Sequence, residues 1–208
     1  MWYCISFLIG FLLSGACYGC NLFLQSFCIK KKIYWLQRMS MVIISIIPTI
    51  IIGICFHAHP FHFISIFNWK LWSVAIATVI VTSLIIKLKH ESHENVPLAP
   101  LCVEAACMEI PQRVMMQTLV LGILAMQKLN TLWSVFITAL IWCAGILVQA
   151  LVTKQKNFQY LFLEVSASFV FSMGIGYVFY SSECLFIPML AHAAERFVTR
   201  TCLREVEE

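Results

Sequence analysis

Seven ionisable side chains interrupt stretches of this sequence that are otherwise uncharged: Glu104, Glu109, Arg113, Glu164, His192, Glu195 and Arg196. In an apolar medium each costs free energy unless it is paired or hydrated, so each is a candidate for function. Glu109 and Arg113 are four residues apart, one above the other on a helix, and can form an ion pair along it. Such a pair reads in two ways. It shares the burial cost of two charges, or Arg113 orients Glu109 as part of a site. His192 follows Pro-Met-Leu-Ala in an apolar segment, where a lone histidine is usually a satisfied core group. A carboxylate and an imidazole at one depth would jointly bind and activate a water, which is the start of hydrolytic chemistry. Glu104 lies near the start of the same predicted span as Glu109, where the helix dipole favours an acidic residue.

The elements that must hold these residues follow from composition. Hydrophobic residues make up 61% of the 208 and charged residues 12%, against about 25% charged in an ordinary soluble domain. Asp is absent, and the charges are bunched between long apolar runs. Lipid is therefore the solvent for most of the chain. About 20 apolar residues cross a hydrocarbon core, and seven segments meet or approach that length: 3–28, 39–56, 69–86, 101–126, 132–152, 159–180 and 184–199. The first has no basic region before it and is too long for a signal-peptide core, so it is expected to remain as a span.

Basic residues give the orientation, because Lys and Arg collect on the cytoplasmic side. Lys30, Lys31, Lys32 and Arg38 follow the first span, Lys87 and Lys89 the third, Lys154 and Lys156 the fifth, and Arg200 and Arg204 the seventh. The opposite loops hold Lys70 and Lys128. This predicts an all-α, polytopic bundle of about seven spans with the N-terminus outside and the C-terminus in the cytoplasm. Counting inward from that face, Glu109 and His192 both lie roughly 12 Å deep.

The polar stretch 87–100 divides an N-terminal three-span region, 1–98, from a C-terminal membrane region, 99–208. Pro48, Pro111 and Pro188 fall inside predicted spans and are expected to kink them. The ten cysteines are scattered mostly through apolar runs and read as buried thiols, the Cys17–Cys20 pair included. His57, His59 and His62 resemble a metal-binding cluster in spacing, but without an acidic or thiolate partner they read first as an interfacial loop. Gly174 and Gly176, with Ser172, are expected to let the sixth span pack closely on a neighbour.

Two segments, VEAACMEIPQRVMMQTLVLGIL and FVFSMGIGYVFYSSECLFIPMLAHAAERF, resemble motif regions of the CPBP family. That family comprises the type II CAAX prenyl endopeptidases and the bacteriocin-processing and self-immunity (Abi) membrane proteins. Its motifs are EExxxR, FxxxH and HxxxN or HxxxD. Glu109 and Arg113 align with the second Glu and the Arg of the first motif, and His192 with the histidine of the third. Met108 stands where the family has its water-activating Glu, Ile141 and Gly145 replace the Phe and His of the second motif, and Arg196 replaces the Asn or Asp of the third. The resemblance covers roughly residues 100–200.

What the resemblance implies is an intramembrane endopeptidase acting on prenylated or leader-bearing peptides, with Glu109 or Glu104, Arg113 and His192 as its catalytic group. It also implies that Glu109, Gly145 and His192 converge on one cavity. The alternative is a non-catalytic relative that keeps the scaffold to bind a peptide or protein partner, as an immunity protein does. A divalent metal is left open, since Glu109 and His192 alone make an incomplete ligand set. The partners expected are the lipid bilayer and a peptide or protein; nucleic acid is not among them. Paired broken repeats, which would mark a transporter, are not evident.

Overall fold

A computed structural model describes residues 1–88 and 97–201. Most of the polar 87–100 stretch, together with Lys89, Cys202 and Arg204, lies outside the described residues. Helices α1 (Trp2–Lys31), α2 (Tyr34–Cys55) and α3 (Trp69–Lys87) form the N-terminal part. Then α4 (Leu98–Glu109), a π-helical segment (Ile110–Gln117) and α5 (Thr118–Met126) succeed one another without a break. Helices α6 (Trp133–Val152), α7 (Phe158–Ser182) and α8 (Phe186–Thr201) complete the described chain.

Five of these, α1, α2, α3, α6 and α7, are long and apolar enough to cross a bilayer. The chain is a multi-pass helical membrane protein. Its surface says the same: Ile47 and Ile54 on α2 are 69% and 70% exposed, and Ile76, Ile80 and Leu84 line one side of α3 in the open. In water so continuous an apolar surface would drive aggregation; in lipid it is the solvated face. Small polar residues turn inward instead, among them Ser40, Ser45, Thr78 and Thr82. Ser40 donates to Asn21 Oδ1 at 2.5 Å and so links α2 to α1.

The helices start and stop for local reasons. Asn68 caps α3 by accepting from the Lys70 N–H, and Asn157 caps α7 by accepting from the Tyr160 N–H. Lys32 and Glu183, both in the left-handed conformation, end α1 and α7. The turn at Glu183 delays α8 until Phe186, which corrects the reading of Pro188 as a kink within a span. Pro188 lies in the first turn of α8, where its missing N–H has no helical partner to lose. The 56–68 connection braces this entry: Leu185 N–H donates to Pro60 O at 2.7 Å, and Ser65 Oγ donates to Ser182 O at 2.8 Å. That strap holds the start of the helix that carries His192.

Packing interleaves the two halves of the chain. α3 lies against α7 and α8, α4 against α8, α1 against α6, and α2 against the π-helical segment. At the α3–α7 crossing, Gly174 faces Thr78 so closely that a Cβ there would collide with the threonine side chain. Gly174→Leu should therefore force α3 off α7 and cost about 1–3 kcal/mol or more. Thermal melting of the detergent-solubilised variant checks it, and an unchanged midpoint would refute the close approach.

Candidate functional site

The site begins with a break in helical hydrogen bonding. Pro111 has no N–H to give the Cys107 carbonyl, and its ring crowds that carbonyl. Cys107 O accepts from the Ile110 N–H instead, and the following eight residues wind more widely as a π-helix. Such segments are rare and recur at functional sites. Seven of its eight residues, Pro111 to Gln117, are buried, as is Glu109 immediately before it.

Within this segment Arg113 is fully buried and folds back along the axis. Its Nε donates to Glu109 Oε2 at 2.8 Å, and its Nη1 reaches Gln117 Oε1 and Ser172 O, each at 3.4 Å. Gln117 Nε2 in turn donates to Gly176 O at 2.8 Å. A Cβ on Gly176 would come within 3.1 Å of the guanidinium, so the glycine leaves the room Arg113 occupies. The polar groups of α4, the π segment and α7 thus form one network in an otherwise apolar interior.

The second oxygen of Glu109 crosses to α8. His192 Nδ1 lies 2.6 Å from Glu109 Oε1, and its ring packs against Phe171 with centroids 4.7 Å apart. A guanidinium only donates, so Glu109 meets it as an acceptor, and the imidazole donates its Nδ1–H to the remaining oxygen. That leaves Nε2 with its lone pair on the opposite ring edge. His192 lines a cavity of about 650 Å³ together with Met108, Gly145, Gln112 and Trp142.

Glu109, Arg113 and His192, picked out by type and spacing, are one hydrogen-bonded cluster. Gly145 lines the same cavity, with open space where a Cβ would be. Glu104 also lines it but sits apart from the cluster: its partner is Arg38, at 3.9 Å, and both side chains are about one-third exposed. Glu195 and Arg196 border the cavity from α8, and Glu164 lies half-buried on α7.

No family model, curated protein or solved structure matches this chain. What the site can do is read from its geometry alone. A carboxylate on Nδ1 fixes the imidazole tautomer and steadies the imidazolium that forms when Nε2 takes a proton, as in hydrolytic triads on unrelated folds. The arrangement is that of an oriented general base at the wall of a cavity.

Gln117 is the member of the network that sequence reasoning passed over. It lies four residues beyond Arg113, so the signal was the same spacing that paired Arg113 with Glu109. The three histidines at 57–62 are exposed; His62 Nδ1 lies 3.0 Å from Ser65 Oγ. Among the described residues no group of three or more His, Cys or Glu is placed to hold a metal ion.

Proposed function

We propose that this chain is a membrane-embedded endopeptidase of the CPBP type, related to the CAAX prenyl endopeptidases, which cuts prenylated or leader-bearing peptides entering its cavity from the cytoplasm. The observation that carries this reading is Glu109 held between Arg113 and His192, with His192 lining a cavity large enough for a peptide segment. His192 Nε2 takes a proton from water, the water oxygen attacks the scissile carbonyl carbon, and the imidazolium returns the proton to the amine that leaves. Met108, where the family resemblance would put a carboxylate, lines the cavity beside this base. A zinc ion does not fit the residues described, because both oxygens of Glu109 are already engaged and no three His, Cys or Glu among the described residues are placed together to hold one. No step runs through a metal.

The reading counts Leu98–Met126 and the shorter α8 as spans, which makes seven. The cavity is lined by the ends of the helices that carry Lys30–Lys32, Arg38, Lys87 and Arg200, the end assigned to the cytoplasm. In a background freed of its exposed native cysteines, a cysteine at Lys154 should label only from the cytoplasmic side and one at His59 only from outside. The reverse pattern inverts the topology.

The function itself is tested by reconstituting the purified protein in phospholipid vesicles with a library of internally quenched peptides, farnesylated and unlipidated. Cleavage that requires His192 is the expected result. A second reading is favoured by Gly145 and Arg196, which stand where the family places its other polar site residues: a non-catalytic relative that binds a peptide in the same cavity. Peptide retention without cleavage by the wild type would establish that reading instead.

A further inference from the structure

Glu195 is a buried charged side chain of the cavity that the proposed chemistry leaves unused. It is 2% exposed, yet it lines the cavity from α8. Its Oε2 lies 3.4 Å from Arg196 Nε, while Oε1 is buried with no hydrogen-bond partner among the described residues. A buried carboxylate oxygen without a donor is costly, and native structures rarely keep one without a reason. A donor from inside the cavity would answer it.

His192 stands three residues earlier on the same helix, so the two side chains share a face with roughly 5–6 Å between their Cβ atoms. Glu109 occupies Nδ1, which leaves Nε2 as the ring acceptor of a side chain that lines the cavity. Two acceptors on adjacent turns, Nε2 and Oε1, suit one small molecule with two hydrogens to give. We infer that Glu195 is a catalytic residue of this site, which together with His192 holds the nucleophilic water and so supplies the second carboxylate that Met108 does not. This inference rests on the hydrolase reading above.

A water that donates one hydrogen to His192 Nε2 and the other to Glu195 Oε1 has its lone pairs turned away from both, toward the space where a peptide carbonyl would lie. On attack the bond from the water oxygen to the carbonyl carbon forms, and one proton passes to Nε2. The C–N bond then breaks, and the same proton passes from Nε2 to the departing amine. Glu195 keeps its hydrogen bond to the remaining O–H, which leaves with the new carboxyl group. Arg196 contributes by engaging Oε2, so that Oε1 is the oxygen facing the water.

The test uses full-length protein in vesicles and the peptides that the wild type cleaves. Glu195→Gln should lower kcat by roughly 10²-fold, the low end of what a group acting on a transferring proton contributes, with KM within about twofold. Glu195→Ala should be as slow, and formate should restore part of its kcat by entering the space of the lost carboxylate. Arg196→Ala, with its carboxylate partner intact, should lose less. An active wild type whose Glu195→Gln variant keeps its kcat overturns this role and leaves the hydrolase reading standing. So does a loss in Glu195→Ala that formate does not relieve and that tracks a lowered melting temperature, because the residue would then be structural. A wild type that cleaves nothing overturns both.

Discussion

Glu109→Ala is expected to leave little folded protein in the membrane. The substitution removes the acceptor 2.8 Å from Arg113 Nε and strands a guanidinium that is 0% exposed. Breaking a buried pair from one side costs about 3 to 5 kcal/mol, a large part of the margin of an ordinary domain. Gln117 and the Ser172 carbonyl do not replace Glu109, since both are neutral and stand 3.4 Å away. Removing both charges is a different matter. Glu109→Met combined with Arg113→Met leaves no orphaned ion, and apolar replacement of a buried pair is often neutral or stabilising. The double variant should therefore melt above Glu109→Ala, although it has also lost the contacts of Arg113 to Gln117 and to the Ser172 carbonyl of α7. Abundance in isolated membranes and thermal melting in detergent check both. If Glu109→Ala melted like the wild type, the guanidinium would be reached by water, and the network described here would not be what holds the site.

Much of this arrangement was legible in the amino-acid sequence, and the reasons differ by element. Span boundaries for α1, α2, α3, α6 and α7 fall within a few residues of the ends of the apolar runs, because a hydrocarbon slab responds to run length and charge. The meeting of Glu109 with His192 followed from depth: two polar groups on different helices, counted from one face, find each other when nothing else at that level can satisfy them. The π-helical winding was not legible. Pro111 announces a disturbance, but a kink and a wider helix both answer a missing N–H, and the choice turns on the Cys107 carbonyl finding Ile110 instead. The position of Pro188 was misjudged because Glu183 adopts the left-handed conformation, a backbone choice that hydropathy does not report. Gln117 escaped because an amide raises no alarm in an apolar run, whereas Glu195 stood among the ionisable candidates with no role that the sequence could assign to it.

Catalyst and scaffold part company on His192, provided the substitution respects what the imidazole holds. Removal of a neutral ring looks harmless in sequence, but here it would orphan Glu109 Oε1, an oxygen 2.6 Å from Nδ1, at a cost of about 1–3 kcal/mol. His192→Ala thus confuses lost chemistry with lost stability. His192→Gln keeps an N–H donor of similar reach toward Glu109 and offers no base at neutral pH. If the protein is a peptidase, His192→Gln should accumulate and melt nearly as the wild type does while its cleavage rate falls roughly 10²- to 10⁴-fold, the range that general-base catalysis supplies. Peptide affinity should change little, since an amide still borders the cavity. A binding protein would behave in the opposite way, retaining both affinity and cellular phenotype in His192→Gln, because nothing it does requires Nε2 to take up a proton. A His192→Gln protein that cleaves at the wild-type rate would remove the imidazole from the chemistry altogether, and the hydrolase reading would fall with it.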